Sequence, residues 1–69
     1  MTAEEWIAAY AAALGRPAPT QEEMDAMLEL ASVAAHASER RAAPIACWLA
    51  AAAGVGLDEA RSLARAVGG

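Results

Sequence analysis

The chain contains no lysine, no phenylalanine and a single cysteine. Its five Arg stand against nine Asp and Glu, for a formal net charge of −4. Binding to nucleic-acid phosphates needs a clustered excess of Lys and Arg, so a nucleic-acid partner is excluded. The same deficit excludes docking on an anionic membrane surface. Cys47 alone supports neither a disulfide framework nor a thiolate zinc site. Long apolar runs are also missing. The longest uncharged stretch, residues 42–57, is broken by Pro44, Gly54 and Gly56, and a bilayer span needs about 20 residues. Glu4 and Glu5 stand where a secretory signal carries positive charge. A cytoplasmic protein is therefore expected.

Catalytic templates are missing too. Gly54-Val55-Gly56 lacks the remaining glycines of a phosphate loop, and no lysine exists to reach a phosphate. Cys47 and His36 fall on different helices with no third member for a nucleophile–base arrangement. His36 and Glu39 are two potential ligands, too few for a metal site. The expectation is a non-enzymatic chain with no cofactor and no bound metal.

What the chain does contain is alanine, 22 of 69 residues. Alanine is the best helix former, and β-branched residues occur only singly. The fold expected is all-α, a compact bundle of four short helices in one domain, residues 1–69. A chain this short buries only about 60% of its unfolded surface, so its core is thin.

Capping signals divide the chain. Thr2 with Glu5 and Thr20 with Glu23 fit capping boxes, and Gly15 ahead of Pro17 is a stop. They predict a first helix over about 3–14 and a second over 21–40. Pro44 and Gly54 bracket a third, 44–53, and Asp58 opens a fourth, 58–67. Trp6, Ile7, Tyr10 and Leu14 share one face of the first helix; helical spacing marks Trp6, Tyr10 and Trp48 as core. Met24, Met27, Leu28, Ala31, Ala34 and Ala35 form the apolar face of the second, with Leu30 at its margin. Glu22, Asp25, Glu29, His36 and Arg40 form its polar face, where Val33 is out of place. In the fourth helix Ala60, Leu63, Ala64 and Val67 face inward, and Arg61 and Arg65 outward.

Two places stand out as candidate sites. The third helix has no polar face: Ile45, Trp48, Leu49 and Ala52 form one side, and Ala46, Cys47, Ala50 and Ala51 the other. A helix apolar all round is central or an interface. The alanine side permits close approach, so Ala46, Cys47, Ala50 and Ala51 are the candidate interface, for a homo-oligomer or a larger protein. The second place is the corner between the second and third helices, where His36, Arg40 and Arg41 stand beside a helix N-terminus. Free N–H groups, the positive dipole end and bidentate guanidinium groups together suit a phosphate or carboxylate. The plainer reading is that His36 and Arg40 neutralise the carbonyl end of the second helix, or that Arg41 pairs with an acidic surface residue.

The residues Glu5-Trp6-Ile7, Ala13-Leu14-Gly15 and the segment from Val33 to Ile45, with its His36, Arg40, Ala42, Ala43 and Pro44, resemble a small uncharacterised helical family of high-GC bacteria. The resemblance spans about residues 4–54. Some members are associated with or fused to the molybdenum cofactor guanylyltransferase, which attaches GMP to molybdopterin. The resemblance implies the same helical module, an accessory role and that guanylyltransferase as a partner. It supplies no catalytic residue. Arg41 stands where the family commonly has proline, Ala46 and Cys47 where hydroxyl residues are frequent, and Trp48 replaces a phenylalanine.

Overall fold

A computed structural model describes residues 1–68. These form four helices: α1 (Ala3–Ala13), α2 (Gln21–Ala37), α3 (Ala42–Ala53) and α4 (Leu57–Gly68). The all-α bundle of four short helices is as expected.

Local chemistry sets most of the boundaries. Both capping boxes form. The Thr2 and Thr20 hydroxyls each accept from the backbone N–H of the glutamate three residues on, at 3.1 Å. Glu5 and Glu23 return the bond to the cap backbone at 2.7 and 2.8 Å. Four otherwise unpaired N–H groups are satisfied in this way. Gly15 ends α1 with φ +74°. Arg16 N–H donates to the Ala11 carbonyl at 2.9 Å and Gly15 N–H to that of Ala12 at 3.0 Å, the bond pair of a Schellman cap. Residues with a Cβ adopt that backbone at a cost, which is why glycine sits there.

Several boundaries differ from expectation. α2 ends at Ala37, because Ser38 leaves the helical region (φ −132°, ψ −99°). Arg40 therefore lies in a turn beyond the α2 polar face. α3 begins two residues before Pro44, which occupies its third position; a proline is tolerated there because first-turn N–H groups have no helical acceptor. α4 starts at Leu57, and the Gly56 carbonyl accepts from Ala60 N–H at 2.9 Å. Asp58 is thus inside the first turn of α4 and is not its cap.

α2 is the centre of the bundle. α3 and α4 both pack on it, while α1 touches the rest lightly. The core is small. Among the described residues the buried apolar side chains are Ala11, Leu30 and Ala60, and Leu30, at 2% exposure, is the one large one. Leu30, assigned by sequence to a margin, is at the middle because α3 and α4 both press on α2. Several expected core residues are open. Trp6 and Tyr10 are exposed on α1, stacked on each other at 5.0 Å. Trp48, Leu63 and Val67 are exposed as well. The reason is size. Neighbours that are mostly alanine are too short to reach over an indole, and each methyl group adds little buried area.

The bundle measures 36 × 23 × 18 Å and exposes 5196 Å². A typical folded monomer of 7.0 kDa exposes roughly 4,000 Å², so about 1,200 Å² is left uncovered beyond that norm.

Candidate functional site

α3 is uncharged throughout and leaves three large apolar side chains exposed. Its twelve residues contain no charged or hydroxyl side chain. Hydrophobicity alone gave no preference between its two sides, so packing chose. Ala42, Ala43, Ala46, Cys47 and Ala50 are half-buried and turned towards α2. Small side chains let two helix backbones come close. Cys47 Sγ lies 3.9 Å from the Met27 carbonyl oxygen, and burial pushes its thiol above the ordinary cysteine range. The opposite side stays open: Ile45, Trp48 and Leu49 are 60%, 68% and 56% exposed, and Ala51 and Ala52 are exposed with them.

The expected assignment of the two sides of α3 is therefore reversed. Of the candidate interface Ala46, Cys47, Ala50 and Ala51, the first three are used inside the chain and only Ala51 is exposed. The outward face is the stripe Ile45–Trp48–Leu49–Ala52, at spacings of three and four that bring all four onto one line. Gly54 closes the helix at φ +74°, its N–H donating to the Ala51 carbonyl at 3.1 Å.

The structure places His36, Arg40 and Arg41 along the α2–α3 connection, each exposed. They do not converge on one point with free donors. His36 is in the last turn of α2; its Nδ1 donates to the Ser32 carbonyl at 2.8 Å and is 3.1 Å from Ser32 Oγ. Arg41 is ion-paired to Glu39. The helix-start N–H groups are also taken. Ala42 N–H donates to the Glu39 carbonyl at 2.9 Å and Ala43 N–H to that of Arg40 at 3.1 Å, and Pro44 has none. An anion at this corner would meet the Glu39 carboxylate and the Arg40 guanidinium, which forms no ion pair among the described residues.

A second cluster is absent from the sequence reading. Arg61 Nη1 donates to Glu29 Oε2 at 2.7 Å, and Arg65 pairs with the other oxygen of the same carboxylate. Arg61 also pairs with Asp58. The hydrogen bonds it donates to Glu29 and then to Asp58 hold the Arg61 guanidinium above its usual range. Val33 and Ala64 lie beside this cluster in an open groove with His36. The sequence carried one sign of it: Val33 in an otherwise polar stripe marks the side of α2 that α4 covers. The residues form a structural clamp, each charge already paired.

Among the described residues no group of three or more His, Cys, Asp or Glu could hold a metal ion, and no helix is long and apolar enough to cross a membrane. A family model, a domain of unknown function designated DUF6457, matches residues 1–68. The chain belongs to that family. No curated protein and no solved structure matches it.

Proposed function

We propose that this member of the DUF6457 family is a non-catalytic protein-interaction module of the cytoplasm that docks through the outer face of α3. The observation that carries the reading is the exposed, uncharged stripe Ile45–Trp48–Leu49–Ala52. A tryptophan flanked by aliphatic side chains on a rigid helix is the composition of a binding hot spot. Leaving such a face in water favours its burial by a partner. The chain's small core adds to this, since domains of this size commonly gain stability by association.

The resemblance to a bacterial family associated with molybdenum cofactor guanylyltransferase makes that enzyme a partner to test, with this chain as its accessory module. The phosphate-binding alternative at His36, Arg40 and Arg41 has weaker support, because the corner's backbone donors and one of its guanidinium groups are already used.

A photo-reactive amino acid replacing Trp48 tests the docking reading in the producing cell. The expected result is one adduct of discrete mass, absent when the same group replaces the exposed Ser62 on α4. Equal labelling from both positions, or none from position 48, overturns it. Mixing with purified guanylyltransferase tests the accessory role: co-migration that Trp48→Asp abolishes supports it, and separate migration rejects it.

A further inference from the structure

We infer that the partner covering the α3 stripe is a second copy of this chain, crossing antiparallel about Trp48 and Leu49. The inference rests on the docking reading above and names its occupant. Three observations carry it.

The first is area. A stable interface of standard size buries about 800 Å² on each side. The chain exposes about 1,200 Å² more than a typical folded monomer of its mass, an excess that Ile45, Trp48 and Leu49 of α3 share with the exposed Trp6, Tyr10 and Leu14 of α1.

The second is self-compatibility. The net charge of −4 makes most faces of this chain repel a copy of themselves. The α3 stripe has no charge to oppose. In a two-fold crossing each residue meets its mirror position along the stripe. The stripe runs from 45 to 52, so its midpoint lies between Trp48 and Leu49, and Ile45 faces the partner's Ala52.

The third is the placement of charge around α3. Helices α1, α2 and α4 each carry two acidic residues in the first turn, as the macrodipole favours. α3 has none there, and none that is basic in its last turn. Instead Arg40 and Arg41 stand just before its positive end. Within one chain this order is unfavourable. Antiparallel pairing corrects it, because it sets these guanidinium groups beside the carbonyl end of the partner's α3. Parallel pairing would set the two Arg40 guanidinium groups together, each beside an Arg41–Glu39 pair.

Sedimentation equilibrium of the full chain, from low micromolar to about 100 µM, tests the inference. The expected mass rises to twice 7.0 kDa and stops there, because a two-fold contact closes. Trp48→Asp should weaken association by about 30-fold or more, the loss of a hot-spot residue. Val67→Asp makes the same charge change on α4 and should leave it intact. Circular dichroism should show equal helix content in both variants. Direction is read by disulfide trapping in a Cys47→Ser background. Leu49→Cys, near the two-fold, should cross-link to its own copy. Ala52→Cys should not, since its copy would lie about 10 Å away along the axis, beyond the roughly 7 Å reach of a disulfide.

A wild-type chain that stays monomeric at 100 µM overturns the inference. The docking reading survives that result if position 48 still cross-links to a different protein, and fails with it otherwise. Loss of association in Val67→Asp, or growth beyond two chains, also overturns it. Cross-linking through Ala52→Cys and not Leu49→Cys overturns the antiparallel direction.

Discussion

Arg61 Nη1 donates to Glu29 Oε2 at 2.7 Å, joining residues 32 apart in sequence and fastening α4 to α2. Arg65 occupies the other carboxylate oxygen, so one glutamate serves two guanidinium groups. The Arg61 side chain is only 22% exposed, which limits competition from water. Glu29→Gln should lower the urea midpoint more than Glu22→Gln, a glutamate of α2 with no ion pair among the described residues. The difference should narrow in molar salt, because screening weakens the pairs. A difference that persists unchanged in salt would show that Glu29 acts through packing.

Leu30 is the residue on which the core turns. It is the one large apolar side chain buried among the described residues, on the helix against which both α3 and α4 pack. Leu30→Ala should cost about 2–5 kcal/mol, a large part of the stability of a domain this small. The variant should lose its cooperative thermal transition. Leu28→Ala, two residues away and exposed, should shift stability by less than about 0.5 kcal/mol.

The two capping boxes should differ in their reach. Thr20→Ala removes a cap from the central helix and should cost about 1 kcal/mol in global unfolding. Thr2→Ala removes the same bond from α1, which is packed only lightly. Its effect should be local, seen as faster amide exchange at the start of α1 with little change in the global midpoint. Equal global losses from both would mean that α1 unfolds together with the rest.

Glu5 ties the first turn of α1 to pH. The Thr2 backbone N–H, and then its hydroxyl, hold the Glu5 carboxyl below the ordinary glutamate range. A carboxylate with a depressed folded-state value stabilises above its unfolded value, and that support is lost as pH falls through the folded one. The first turn of α1 should therefore be intact at neutral pH and fray in acid, followed by the Thr2 and Glu5 amide resonances. In Glu5→Gln the fraying should no longer depend on pH.

Much of the fold is legible in local pattern. Thr2 with Glu5, Thr20 with Glu23, and Gly15 each act within a few residues, so their sequence reading survives folding. The end of α2 is less legible. Nothing in Ser38, Glu39 or Arg40 forbids helix; the chain leaves it at Ser38 and uses the carbonyls of residues 39 and 40 to start α3. Sidedness is least legible where composition is uniform. Both sides of α3 are apolar, so only backbone approach to α2 decides between Ala46 and Trp48. The same holds for the aromatic side chains: spacing puts Trp6 and Tyr10 on one face of α1, yet says nothing about whether a neighbour is large enough to cover them. Charge pairing across α2 and α4 needs the tertiary arrangement, and Val33 in a polar stripe was its one local trace.

Trp48 lies open in the single chain and, in the proposed dimer, is covered by the partner copy. Fluorescence of Trp48 alone, in a Trp6→Phe variant, tests it most directly through acrylamide quenching across a dilution series. Quenching should be ready in dilute solution and give way to protection on concentration, with a midpoint matching the change in sedimented mass. Protection at every dilution would place Trp48 inside its own chain, and ready quenching up to about 100 µM would leave α3 uncovered; either result contradicts the account.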